Sequence, residues 1–187
     1  MFGIDLSHWD DDVNYREIWD VCDFVIIKAT DGTKKDPAYM THYNQTLPLK
    51  TGFYAYTYAT TAEKARDEAR AFYAAVKPCK AEMGYWLDVE DKRLKNLTKE
   101  ALTDVLNAWL QEAKKLGLEV GIYSNPDWLE NRIDLTSLAA TKLWLAVWTN
   151  DITKLLKYRQ KYRPDVIQYT DAYKLPNKAK VDGDIVL

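Results

Sequence analysis

The feature that most restricts the fold is a rhythm: short β-type runs recur along the whole chain, and the segments between them often carry helical spacing. The runs are Phe2–Ser7, Phe24–Thr30, Gly52–Tyr58, Tyr85–Glu90, Glu119–Ser124, Leu143–Trp148, Val166–Thr170 and a last piece around Asp184–Leu187. Several are nearly continuous apolar stretches rich in Val, Ile, Tyr and Trp, the pattern of strands buried on both faces. Between them, Glu63–Lys77 places Ala65, Ala69, Phe72, Tyr73 and Val76 on one helical stripe, with Thr60 and Glu63 as a capping box. Lys99–Leu116 places Leu102, Val105, Leu106, Trp109, Ala113 and Leu116 on another, with Thr98 as N-cap and Gly117 where a C-cap glycine belongs. Asp151–Lys161 is a shorter helix leaving toward Pro164, and 171–180 reads as loop.

Strand followed by helix, repeated, indicates a parallel sheet, and eight strands suggest that it closes. A chain of 187 residues is below the roughly 200–400 usual for a (β/α)8 barrel. The expectation is therefore one α/β barrel domain over residues 1–187 whose late crossover helices are reduced or missing. A doubly wound open sheet is the structural alternative. It calls for a glycine-rich first turn after Phe2–Ser7, and none is there.

Charge and residue counts narrow the chemistry. With 26 basic and 28 acidic residues and no long basic block, nucleic acid and anionic membrane surfaces are poor partners. No apolar run reaches the ~18 residues of a membrane span. No basic stretch followed by an apolar one precedes the first strand, so no signal peptide is read in this chain. Cys22 and Cys79 are read as free thiols. His8 and His42 form no H-x-x-H or H-x-x-x-H pair, so neither a zinc site nor another cofactor is expected. Seven Trp and thirteen Tyr suit sugar stacking, although most large rings in a barrel serve as filler.

The acidic residues carry the functional reading. Side chains alternate along a strand, so Trp86, Asp88 and Glu90 share one face, with the two carboxylates about 7 Å apart at its C-terminal end. Gly3, Asp5 and Ser7 share a face of the first run. Asp182 immediately precedes the last, and barrel closure would make those two strands neighbours. Each acid alone has an ordinary explanation as a turn or cap residue, and Asp182-Gly183 is a common turn dipeptide. Together they fall on the rim where barrels place their chemistry. Close carboxylates push their pKa values apart, the equipment for cutting a glycosidic bond. By the same alternation Tyr56, Tyr123 and Trp148 are expected at the sugar, and Trp86, Trp109 and Trp144 in the packing.

The chain resembles the glycoside hydrolase family 25 lysozymes, the Chalaropsis-type or phage-type N-acetylmuramidases. The matching pieces run in order from Gly3-Ile4-Asp5-Leu6-Ser7-His8-Trp9 and Phe24-Val25-Ile26-Ile27-Lys28-Ala29-Thr30-Asp31-Gly32-Thr33 to Gly52-Phe53-Tyr54-Ala55-Tyr56 and Leu87-Asp88-Val89-Glu90. They continue through Val120-Gly121-Ile122-Tyr123-Ser124-Asn125, Leu143-Trp144-Leu145-Ala146-Val147-Trp148, Ile167-Gln168-Tyr169-Thr170 and Val181-Asp182-Gly183-Asp184. The resemblance implies a flattened TIM-like barrel and hydrolysis of the β-1,4 bond between N-acetylmuramic acid and N-acetylglucosamine in bacterial peptidoglycan. By motif match Glu90 is the general acid, Asp88 sits beside the acetamido group, and Asp5 and Asp182 line the cleavage subsite. Tyr54, Asp31 and Gln168 join the substrate-binding set. Attack by an enzyme carboxylate and attack by the substrate's own acetamido group both remain open.

Three positions depart from the family pattern: Asp31 where Glu is usual, Ala55 where His is frequent and Asp184 where Asn is usual. Two rival functions stand beside the muramidase: a catalytically weak wall-binding barrel and a chitinase-type hydrolase of poly-N-acetylglucosamine. A metal-dependent deacetylase is disfavoured by the scarcity of histidine. The implied place of action is the bacterial cell wall, reached by a phage-type lysin or by a secreted protein whose signal has been removed. A longer parent has room for a separate wall-binding module.

Overall fold

The computed structural model describes residues 1–140 and 142–186. Eight strands form a closed ring: β1 (Phe2–Leu6), β2 (Phe24–Asp31), β4 (Lys50–Tyr56), β5 (Tyr85–Asp88), β6 (Val120–Ser124), β7 (Leu143–Ala146), β8 (Val166–Lys174) and β9 (Lys180–Ile185). Pairing is parallel from β1 through β2, β4, β5, β6 and β7 to β8, and antiparallel at β8–β9 and β9–β1. A two-residue strand, β3 (Lys34–Lys35), folds back on β2.

Alternation along the strands divides the apolar residues into two cores. Inward, Phe24, Ile26, Tyr54, Trp86, Tyr123, Trp144 and Val166 fill the barrel. Outward, residues such as Ile4, Val25, Ile27, Phe53 and Leu87 meet the helices, chiefly α3 (Ala62–Val76) and α4 (Lys99–Lys115). Large rings fit inside a narrow barrel because glycines face them. A Cβ on Gly3 would lie 2.5 Å from the Phe24 ring, and one on Gly121 would lie 2.6 Å from Trp86.

The helices α3, α4 and α6 (Ile152–Tyr162) stand where periodicity puts them, each starting at a side-chain cap: Thr61, Thr98 and Asp151. For α3 the cap is Thr61, one residue later than the expected Thr60, because its hydroxyl is the one that receives the Lys64 amide. Gly117, at φ +88°, follows α4 in the left-handed conformation that glycine tolerates. Periodicity does not single out α1 (Tyr15–Val21), α2 (Tyr39–Gln45) or α5 (Pro126–Asn131), since six or seven residues offer too few turns to show a stripe. No described helix is long and apolar enough to cross a membrane.

The end of the barrel differs from the expectation. The segment 171–180, expected as loop, is half strand: β8 runs to Lys174, the chain turns over residues 175–179, and it returns as β9 from Lys180. Asp182 lies inside β9 rather than before it, and Leu187 is outside the described residues. This is an antiparallel hairpin, whose strands need no crossover helix between them. The Asp182-Gly183-Asp184 run looks like a turn because its carboxylates occupy the inward face that apolar residues fill elsewhere.

Candidate active site

The inner core fills the barrel from its N-terminal end and stops short of the C-terminal rim. Along β2 the inward series is Phe24, Ile26 and Lys28, and a bulge between Lys28 and Thr30 then turns Asp31 inward opposite Tyr56, so the series is apolar below and polar above. On β5 it is Trp86 then Asp88, with Glu90 just past the strand end. The chain there is pinned: the Val89 amide donates to the Tyr123 carbonyl at 3.0 Å, and Ser124 Oγ donates to the Val89 carbonyl at 2.7 Å. A groove of about 430 Å³ opens on this rim, with Asp5, Asp88, Glu90 and Asp182 in its lining beside Asp31, Tyr54 and Tyr56. Glu90 also borders a neighbouring cleft of about 380 Å³, walled by Trp148, Lys154 and Tyr158. Glu90 therefore stands at the junction of two binding spaces.

The carboxyls are electrostatically crowded. Burial pushes Asp88 well above its ordinary range, Glu90 adds to the effect, and the Lys28 ammonium opposes it. Glu90 opens to solvent, yet the walls around it withdraw enough water to raise its carboxyl, again against Lys28. Asp182 is raised to about 7, by burial first and then by Asp10, Asp171 and Glu90. Asp5 is raised well above its range by burial and by its neighbours Asp184 and Asp182. One carboxyl nearby goes the other way: Arg93, in a two-pronged contact at 2.7 and 2.9 Å, pulls Asp91 down to about 2. Asp91 in turn accepts the Tyr56 hydroxyl at 3.2 Å, which orients that ring under Lys28, 4.6 Å from its centroid.

Two residues expected at the sugar lie beneath the groove instead. Gln168 is 2% exposed, and Tyr123, 5% exposed, packs 4.5 Å from the Trp144 ring. Gln168 Oε1 accepts the Tyr123 hydroxyl and the Trp148 indole N–H, both at 2.8 Å. Its Nε2 donates to Asp5 at 2.8 Å and to Asp182 at 3.1 Å. Two donors and two acceptors are thus all engaged by protein groups, and Gln168, on β8, ties together β1, β6, β9 and the segment after β7. Trp148 itself is 54% exposed, while Trp86, Trp109 and Trp144 are buried.

Sequence reasoning missed Lys28, Asp10 and Trp9, all in the groove lining. Lys28 had a readable signal, since it holds the inward register of Phe24 and Ile26. Asp10 had none: it reaches the groove because Ser7 donates to it from both its amide, at 2.8 Å, and its hydroxyl, at 3.2 Å.

The family model for glycosyl hydrolases family 25 matches residues 4–178. The chain belongs to glycosyl hydrolases family 25. The fold agrees with solved structures of that kind. The catalytic domain of the Ply40 endolysin from a Listeria monocytogenes bacteriophage superposes with TM-score 0.82 at 21% identity, over 100% of this chain and 93% of that one. A Streptomyces coelicolor bacterial lysozyme gives 0.75 at 19%, covering 100% and 91%. The modular autolysin LytC of Streptococcus pneumoniae gives 0.83 at 20%, covering 98% of this chain but 46% of the other, so the chain spans about half of that protein's length. A search of curated proteins found no match. In this family 25 chain the run Asp88-Val89-Glu90 stands at the C-terminal end of β5, on the acidic rim.

Proposed function

We propose that this family 25 chain is a muramidase, hydrolysing the β-1,4 bond between N-acetylmuramic acid and N-acetylglucosamine in peptidoglycan, with Glu90 as general acid. The observation that carries this reading is the position of Glu90: a carboxyl biased toward its protonated form, at the join of two clefts. A glycan strand laid across both puts the scissile oxygen above Glu90, which protonates it as the bond breaks. The sugar that acquires positive character then lies in the acidic groove. Asp5 and Asp182 face that charge, and Asp88 is placed to hold the 2-acetamido group. The departing sugar lies against Trp148 and Tyr158, whose ring faces suit the apolar side of a pyranose.

Digestion of purified cell walls, with mass analysis of the fragments, tests the proposal. New reducing ends on N-acetylmuramic acid are expected. Reducing ends on N-acetylglucosamine, or faster release from chitin than from walls, point to the chitinase-type reading. Wall binding without released sugar points to a binding module. We place the site of action on the bacterial wall, and the LytC match supports catalysis by such a barrel within a modular parent.

A further inference from the structure

One buried acid has no part in the mechanism above. Asp184 lies on β9 two residues beyond Asp182, so both carboxyls point into the barrel. In the β1–β9 ladder Asp5 is opposite Asp182, and Asp184 is its diagonal neighbour on the same face, within side-chain reach. Asp184 is fully buried. Its Oδ1 accepts the Trp144 indole N–H at 2.7 Å, whereas its Oδ2 is sealed from solvent with no donor directed at it. None of the ion pairs among the described residues involves Asp5, Asp182 or Asp184.

We propose that Asp184 is a positioning residue that keeps its proton on Oδ2 and donates it in a hydrogen bond to Asp5, which thereby remains the anionic member of the pair facing the sugar. This deepens the muramidase reading and rests on it for the catalytic consequence. The choice of proton carrier follows from the surroundings. Asp5 borders the groove and already receives the Gln168 amide, so its negative charge has partners. An ionised Asp184 would hold a bare oxyanion oxygen in a closed space, a costly arrangement unless neutralised. Protonation removes that cost and supplies the missing hydrogen bond. Burial, the first cause, raises Asp184 well above its ordinary range, and the nearby Asp182 adds to it, against the lowering effect of its hydrogen bonds with Trp144 and Asp5.

The groups that face this pair are Asp182 on the same strand, Asp5 on β1, Asp10 beyond β1 and Tyr54 on β4. Cys22, pushed up to about 12, and Tyr169, also raised, stay neutral near it. No cation is among them, so no neighbouring charge draws the proton off Asp184.

The test compares wild type with Asp184→Asn and Asp184→Leu on purified walls, together with infrared spectra at neutral pH. Asparagine keeps an acceptor for Trp144 and a donor for Asp5. Its rate should stay within about threefold of wild type with the acidic limb of the pH profile unmoved, while leucine should lose at least tenfold. The carbonyl band of a protonated carboxylic acid should be present in wild type and lose intensity in Asp184→Asn. This spectrum needs no activity, so it separates failure of the proposal from failure of the muramidase reading. An acidic limb displaced to lower pH in Asp184→Asn would show that a charge had been removed, and would overturn the proposal. So would an unchanged band, or a folded leucine variant of full activity.

Discussion

Asp5 and Asp182 are directly opposite each other across the antiparallel β1–β9 ladder, and one amide nitrogen, Gln168 Nε2, donates to both. The two carboxyls therefore form a unit with a shared tether, and their substitutions should not act independently. Each Asn variant is expected to lower the rate on walls, and the double variant to lose less than the product of the single losses. Strictly multiplicative losses in a double-mutant cycle would contradict the coupling.

Glu90→Gln should keep the fold, since the side chain is exposed at the rim, and lower the rate at least ~100-fold, the usual scale of general acid catalysis. Wall pull-down with the same variant should show unchanged binding. Near-normal turnover would assign the acid elsewhere.

Lys28 is the cation that restrains both Glu90 and Asp88. Lys28→Met removes its charge while keeping a buried chain of similar length, so the Glu90 carboxyl should rise further. A general acid works while protonated, and the alkaline limb of the pH–rate profile should move to higher pH. A limb that stays or moves to lower pH would exclude Lys28 from tuning Glu90.

Stability should respond to pH through the raised carboxyls. Asp182 is raised to about 7 and so is Glu68, the latter chiefly by burial, with its carboxylate accepting the Thr57 hydroxyl at 2.5 Å. Both folded-state values lie above the unfolded ones, so the native state binds protons more tightly. That contribution is complete below pH ~4 and is lost as pH rises through about 7. Asp91, pulled down to about 2, acts in the opposite sense, but its contribution is already complete above pH ~4. Urea unfolding should therefore show Asp182→Asn and Glu68→Gln gaining on wild type between pH ~5 and ~8. A constant difference across that window would refute the assignment.

The tryptophans divide by exposure. Trp109 is buried against Phe72, ring centroids 5.7 Å apart, and Trp109→Ala should cost ~3–5 kcal/mol as a core truncation. Trp148, half exposed and held to Gln168 by its indole N–H, should on truncation lower wall hydrolysis with little change in Tm. Thermal melts and wall-clearing rates on the two variants check both halves; unfolding by Trp148→Ala alone would reverse the assignment.

What the sequence alone determined is the set of features that repeat locally. Inward and outward positions on β5, and on β2 as far as Lys28, follow from a two-residue period that a bulge then shifts, and α3 and α4 follow from stripes several turns long. The acids Asp5, Asp88 and Glu90 were legible because a carboxylate ending an apolar strand needs a reason to be there. What the tertiary structure decided is whatever depends on strands far apart in the chain. The extension of β8 beyond Thr170 and the start of β9 at Lys180 were hidden because these stretches are largely polar, so hydrophobic periodicity could not register them. Gln168 read as a ligand contact, yet it meets Asp5 across 163 positions and has no free hydrogen-bonding group left. Asp184 read as an added charge, and only barrel closure buries it beside Asp5. Periodicity reports which face of its own strand a side chain occupies. Solvation and partners, which set its proton and its role, come from closing the ring.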